Sequence, residues 1–146
     1  MNAWTAPGAI YNPRREIPTQ QRQHILLVMR NASERRAMAE EFTKAGFTVV
    51  AEDNCHDALR FCRKCRVLHA LVAEVTLPYM WGVELARSAS QFHSRLVIVC
   101  LCNAEPRRSV KEELAARGWQ WTHKQGPFRE TVTQQLQTRL TMAGAR

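Results

Sequence analysis

The sequence predicts an α/β domain built on a parallel, doubly wound sheet. Short apolar runs recur five times after residue 23, and they alternate with stretches whose apolar residues return at helical spacing. Capping or turn residues separate the two kinds of segment. Strands joined through helices run parallel with right-handed crossovers, so helices are expected on both faces of the sheet. The chain has 146 residues, near the size of one domain and long enough to bury a core without metal or disulfide.

Residues 1–22 stand apart. Pro7-Gly8, Pro13 and Pro18 interrupt any period, so a flexible arm is expected, with Trp4, Ile10 and Tyr11 as its docking side chains. The domain is expected over 23–142, followed by a short tail at 143–146.

Ile25 to Val28 is the first strand, an apolar run suited to a buried parallel sheet. Asn31 and Glu34 have capping-box spacing at the start of a helix. That helix places Ala37, Met38, Phe42 and Ala45 on one face and stops at Gly46. Phe47 to Ala51 is the second strand. Asn54 with Asp57 starts the second helix, whose inner face carries Ala58, Phe61, Cys62 and Cys65. Ala70 to Val75 is the third strand. It enters a loop from Thr76 to Gly82 and then a helix carrying Leu85, Ala89 and Phe92. Leu96 to Leu101 is the fourth strand. Pro106 suits the first turn of the fourth helix, which turns Val110 and Leu114 inward. Trp119 to His123 is the fifth strand, and Pro127 opens a last helix with Phe128, Val132, Leu136 and Leu140 four residues apart.

Composition narrows the function classes. Apolar residues are 45% and charged residues 23%, as in globular proteins. No apolar run approaches the roughly 18 residues of a membrane span. The N-terminus lacks the basic and apolar regions of a secretory signal, so a cytoplasmic protein is expected. The formal charge of +8 favours acidic partners, whether nucleic acid, anionic lipid or protein, although the cations are dispersed. Five cysteines, an odd number, are expected to be reduced thiols packed as small hydrophobes. Cys62 and Cys65 have the CxxC spacing of redox and zinc sites, with Cys55, His56 and His69 as the nearby candidates for further zinc ligands. A helical turn packing both thiols inward explains the spacing without metal and is the favoured reading. Cys100 and Cys102 face the same side of their strand. Cys102 would be reactive if Lys124 or Arg30 lowered its pKa, but no His–carboxylate relay accompanies it.

In such sheets the functional crevice lies at the carboxyl ends of the strands. Those ends are Met29-Arg30, Glu52-Asp53, Glu74, Cys102-Asn103 and Lys124. The stretch from Glu74 through Pro78 and Gly82 to Leu85 resembles the receiver domain of response regulators, where an aspartate precedes a Pro-x-x-x-Gly loop and a Leu-bearing helix. The strand–helix order, Lys124 at the end of the fifth strand and the nearby Pro127-Phe128 carry the resemblance over about residues 24–140. It implies a flavodoxin-like (CheY-like) five-stranded sheet of order 2-1-3-4-5.

By the same resemblance, the phosphoacceptor aspartate falls at Glu74 and the magnesium-holding acidic pair at Met29 and Arg30. The Thr or Ser that follows phosphorylation falls at Cys102, the switch aromatic at Trp121, and the family lysine at Lys124, with Gln125-Gly126 inserted before Pro127. Magnesium needs oxygen ligands in near-octahedral array, and here a guanidinium replaces one of them. A dismantled phosphorylation site is therefore expected, with no metal, no cofactor and no enzymatic activity. The Arg30 side chain is expected to take roughly the place of the metal and pair with Glu74, aided by Lys124. Glu74 is then either a structural replacement, the favoured reading, or a longer mimic of the phosphorylated acid.

The resemblance also implies a partner surface on the fourth helix, fifth strand and fifth helix, where Arg107, Arg108, Lys111, Trp119, Trp121 and Phe128 stand. Core packing of the aromatics and simple solvation of the cations compete with that reading. The function expected is a stand-alone, phosphorylation-independent receiver acting as an adaptor to a regulator or kinase, or as a homodimer, in a bacterial regulatory system. The alternative is a basic nucleic-acid-binding regulator using the arm and helix patches such as Arg60, Arg63, Lys64 and Arg66.

Overall fold

The computed structural model of the chain describes residues 23–77 and 80–144. The expected arm, the Pro78-Tyr79 step of the loop and residues 145–146 lie outside the described residues. Seven strands and five helices follow in order: β1 His24–Val28, α1 Ala32–Lys44, β2 Thr48–Glu52, α2 Cys55–Lys64, β3 Ala70–Glu74, β4 Thr76–Leu77, β5 Met80–Trp81, α3 Gly82–Phe92, β6 Val97–Cys102, α4 Arg108–Arg117, β7 Gln120–His123 and α5 Phe128–Gly144. Five strands form one sheet in the order β2-β1-β3-β6-β7, all parallel. With the small β4–β5 hairpin set aside, this is the expected 2-1-3-4-5 arrangement. The hairpin is antiparallel and occupies the segment read from sequence as loop alone.

Period-two alternation builds two cores. Leu26, Val28, Leu71, Ala73, Ile98 and Cys100 face α2, α3 and α4, where they meet Ala58, Cys62, Leu85, Ala89 and Leu114. Ile25, Leu27, Met29, Val72, Val99 and Leu101 face α1 and α5, where they meet Met38, Phe42, Val132, Leu136 and Leu140. The central strands β3 and β6 are buried along their whole length, which is why their sequences lack polar alternation.

Local sequence sets the helix ends. Asn31 accepts the Glu34 N–H at 2.9 Å, but the Glu34 carboxylate does not return to close a capping box and instead reaches Lys124. Asn54 accepts the Asp57 N–H at 2.8 Å, and its side-chain amide donates to the Asp57 carboxylate at 3.0 Å. Pro106 does not enter the first turn of α4. That helix starts at Arg108 with Arg107 as its cap, leaving the proline in the approach. Pro127 likewise precedes α5, and its carbonyl accepts the Thr131 N–H at 3.2 Å. Helix α5 continues to Gly144, beyond the boundary expected at 142.

Gly82 opens α3 directly beneath the end of β3. Its N–H donates to the Val75 carbonyl at 2.7 Å. A methyl group there would overlap the Glu74 main-chain oxygen and lie 2.9 Å from the Glu74 carbonyl carbon. Only glycine lets the two backbones approach so closely. Among the described residues, no helix is long and apolar enough to cross a membrane.

Candidate functional site

The carboxyl ends of β1, β3, β6 and β7 surround an open cleft of about 410 Å³ lined by Arg30, Asn31, Glu34, Glu74, Thr76, Asn103 and Lys124. Glu74, the last residue of β3, is 7% exposed. Its Oε1 accepts the main-chain N–H of Arg30 at 2.7 Å, and its Oε2 accepts from the Lys124 ammonium. Lys124 Nζ also donates to Glu34 Oε1 at 2.8 Å. The lysine is positioned by its own N–H, which donates to the Cys102 carbonyl at 2.8 Å just beyond β7. Its side chain is only 8% exposed.

Burial pulls the Lys124 pKa down. The hydrogen bonds and charges of Glu34 and Glu74 outweigh burial, so the net direction is upward from 10.5. A raised lysine pKa contributes stability that is complete below the unfolded value and disappears only as pH climbs through the folded one. Across the neutral range Lys124 therefore stays charged.

Several sequence expectations change here. The Arg30 guanidinium does not pair with Glu74: the residue is exposed, and its main-chain N–H makes the contact instead. That N–H already points into the cleft from the end of β1, so it reaches the carboxylate without ordering a long side chain, and the guanidinium keeps its hydration. Met29 does not line the cleft. Its side chain is fully buried under α1 and α5. Glu34 is, with Asn31 and Thr76, a cleft residue that sequence reading missed as such. Its only signal was cap spacing, which says nothing of a lysine 90 residues away. Glu52 and Asp53 lie outside the cleft lining, with Asp53 tied to the Asn54 amide at 2.7 Å.

Cys102 lines a neighbouring groove of about 240 Å³ with Trp81, Asn103, Pro106 and Val110, while Lys124 is absent from that lining. Burial pushes its thiol up to about 11, the opposite of activation. Cys62 points into the core and rises to about 12, for burial first and then for its neighbour Cys65. Cys65 is half-buried at the end of α2, and its Sγ lies 3.5 Å from His93 Nε2. Among the described residues no three His, Cys, Asp or Glu side chains gather to hold a metal. In native protein near pH 7.5, a disulfide thiol reagent is expected to label at most Cys65 quickly, and all five thiols after unfolding. Fast labelling of Cys102 would contradict this assignment.

Trp119 and Trp121 are half-buried against the core on the α4 side, with Arg117 5.0 Å above the first ring and Lys111 Nζ 6.0 Å from the second. Phe128 packs against the other core, on the α5 side. Arg107 and Arg108 are exposed; Arg108 pairs with Glu112 at 3.1 Å, and Lys111 pairs with Glu105. Of the six residues expected as a partner surface, the three aromatics pack partly against the cores, Arg108 and Lys111 stand in ion pairs, and Arg107 is exposed.

A five-stranded parallel sheet of this order, with helices packed on both faces, is the flavodoxin-like (CheY-like) fold. Solved structures share that fold. A chemotaxis response regulator, CheY4 of Vibrio cholerae, is 23% identical with a TM-score of 0.69, covering 82% of this chain and 99% of that one. A CheY-like receiver domain from Methanospirillum hungatei JF-1 is 13% identical with a TM-score of 0.75, covering 84% and 96%. The receiver domain of an HD domain-containing protein from Pseudomonas fluorescens Pf-5 is 16% identical with a TM-score of 0.75, covering 86% and 100%. No family model matches the chain, and no curated protein sequence matches it.

Proposed function

We propose that the chain is a receiver-like interaction module that works without phosphorylation, passing a regulatory signal by protein contact rather than by catalysis. The observation that carries this reading is the engagement of Glu74. One carboxylate oxygen accepts the Arg30 N–H and the other accepts from Lys124, which is itself held by Glu34. A nucleophilic carboxylate would have to break these contacts. A magnesium ion would have to find oxygen ligands where β1 is followed by a core methionine and an exposed arginine.

The cluster supports Glu74 as a structural replacement, since its cation is internal and needs no phosphoryl group to hold the site in one state. Solved structures that share the fold include a chemotaxis response regulator and the receiver domain of a hybrid histidine kinase. A kinase, a regulator or a second copy of the chain would be a partner of the same kind. Incubation with magnesium and either acetyl phosphate or beryllofluoride, read by intact mass and by tryptophan fluorescence, is expected to give no mass gain and no saturable change. Stoichiometric, magnesium-dependent modification at Glu74 would overturn the proposal.

A further inference from the structure

We infer that the corner of the domain where α2 and α3 end is a docking surface for an acidic protein segment carrying apolar side chains, an inference that rests on reading the chain as an interaction module. Cys65, which caps α2, brings its Sγ 3.5 Å from His93 Nε2 just past α3, and the same nitrogen lies 2.9 Å from the Cys62 carbonyl oxygen. The two helix ends therefore form one surface. Beside this contact stand two of the large hydrophobic side chains exposed among the described residues: Val67, 56% exposed, and Phe92, 47% exposed.

Arg63, Lys64, Arg66 and Arg95 are exposed in the same two segments, and none makes an ion pair among the described residues. The sequence has no carboxylate between Asp57 and Glu74, and none between Glu84 and Glu105. These cations have no acid of their own segments at hand.

The helix dipole accounts for Arg63 and Lys64, which lie in the last turn of α2. It does not account for Arg66 and Arg95, which lie beyond the helix ends, or for the apolar pair. Exposed apolar side chains together with unpaired cations, carried on two segments held in contact, have the composition of a protein interface. A phosphodiester backbone offers nothing apolar to cover Val67 and Phe92. A bilayer would need side chains that insert, and about half of each is already covered by its own domain.

The test is titration of the full chain, at near-physiological salt, with two labelled polymers of matched length: polyglutamate and a random glutamate–tyrosine copolymer. The copolymer is expected to bind roughly tenfold more tightly, a difference of about 1.4 kcal/mol. Val67→Ser combined with Phe92→Ser should erase that difference. Arg66→Glu combined with Arg95→Glu should weaken both polymers by roughly tenfold or more. All four positions are exposed, so melting temperatures should stay close to that of the parent chain and separate lost binding from lost folding.

Equal affinity for the two polymers, or variants that bind as the parent does, would overturn the proposal. So would binding of phosphatidylserine vesicles or random duplex DNA, in place of the copolymer, that the same variants abolish. Phosphoryl uptake at Glu74 would defeat the phosphorylation-independent reading while leaving copolymer binding untouched, so the two failures are distinguishable.

Discussion

Replacing Lys124 with methionine is expected to lower the unfolding free energy by roughly 3–5 kcal/mol, because it leaves a buried carboxylate without its cation. At this chain length that corresponds to a fall in melting temperature on the order of 10 °C. The side chains of Lys124 and Glu74 are 8% and 9% exposed, so water cannot screen the loss as it would at the surface. Glu74→Gln is the informative partner. It keeps the shape, leaves an oxygen for the Arg30 N–H, and leaves Lys124 paired with Glu34. Its cost should be clearly smaller than that of the lysine replacement. Urea unfolding of the two variants at neutral pH checks the order, and equal costs would mean that Lys124 does not hold the cleft together.

Gly82→Ala should be about as damaging for a different reason. The added methyl would overlap the main-chain oxygen of Glu74 and lie 2.9 Å from its carbonyl carbon. Both partners are backbone, one in a central strand and the other at a helix start, so no side-chain rotation relieves the clash. The cost is expected to reach or exceed the 1–3 kcal/mol typical of an overfilled core. Gly118→Ala provides the contrast. Its new methyl meets open space, and only the left-handed backbone at φ 76° opposes it, at a cost of roughly 1–2 kcal/mol. Thermal denaturation of the two variants should therefore separate them clearly, and similar melting temperatures would show that α3 is free to shift from β3.

The architecture was legible because each of the three central strands is a run that the two cores require on both faces. Leu26, Leu71 and Ile98 on one side and Ile25, Val72 and Val99 on the other leave little alternative for β1, β3 and β6. Lys124 and Glu74 were also legible as neighbours, since both close parallel strands at the same edge of the sheet. The details at the cleft were not. Whether Arg30 presents its guanidinium or its main-chain N–H depends on a backbone turn after β1 that has no side-chain signature. The role of Glu34 depends on the first turn of α1 facing a strand end far along the chain. Sequence spacing identifies the cap Asn31 but not where the freed carboxylate goes. The helix starts after Pro106 and Pro127 were displaced for a related reason, since proline tolerates both the approach and the first turn.

The bridge from Lys124 to Glu34 and Glu74 joins residues separated by 90 and 50 positions. During translation both acids leave the ribosome long before the base that neutralises them. The two acids meet their shared cation only where the end of β7 lies beside the end of β6, so the edge strand at one side of the sheet completes a cleft whose acids belong to α1 and the central strand.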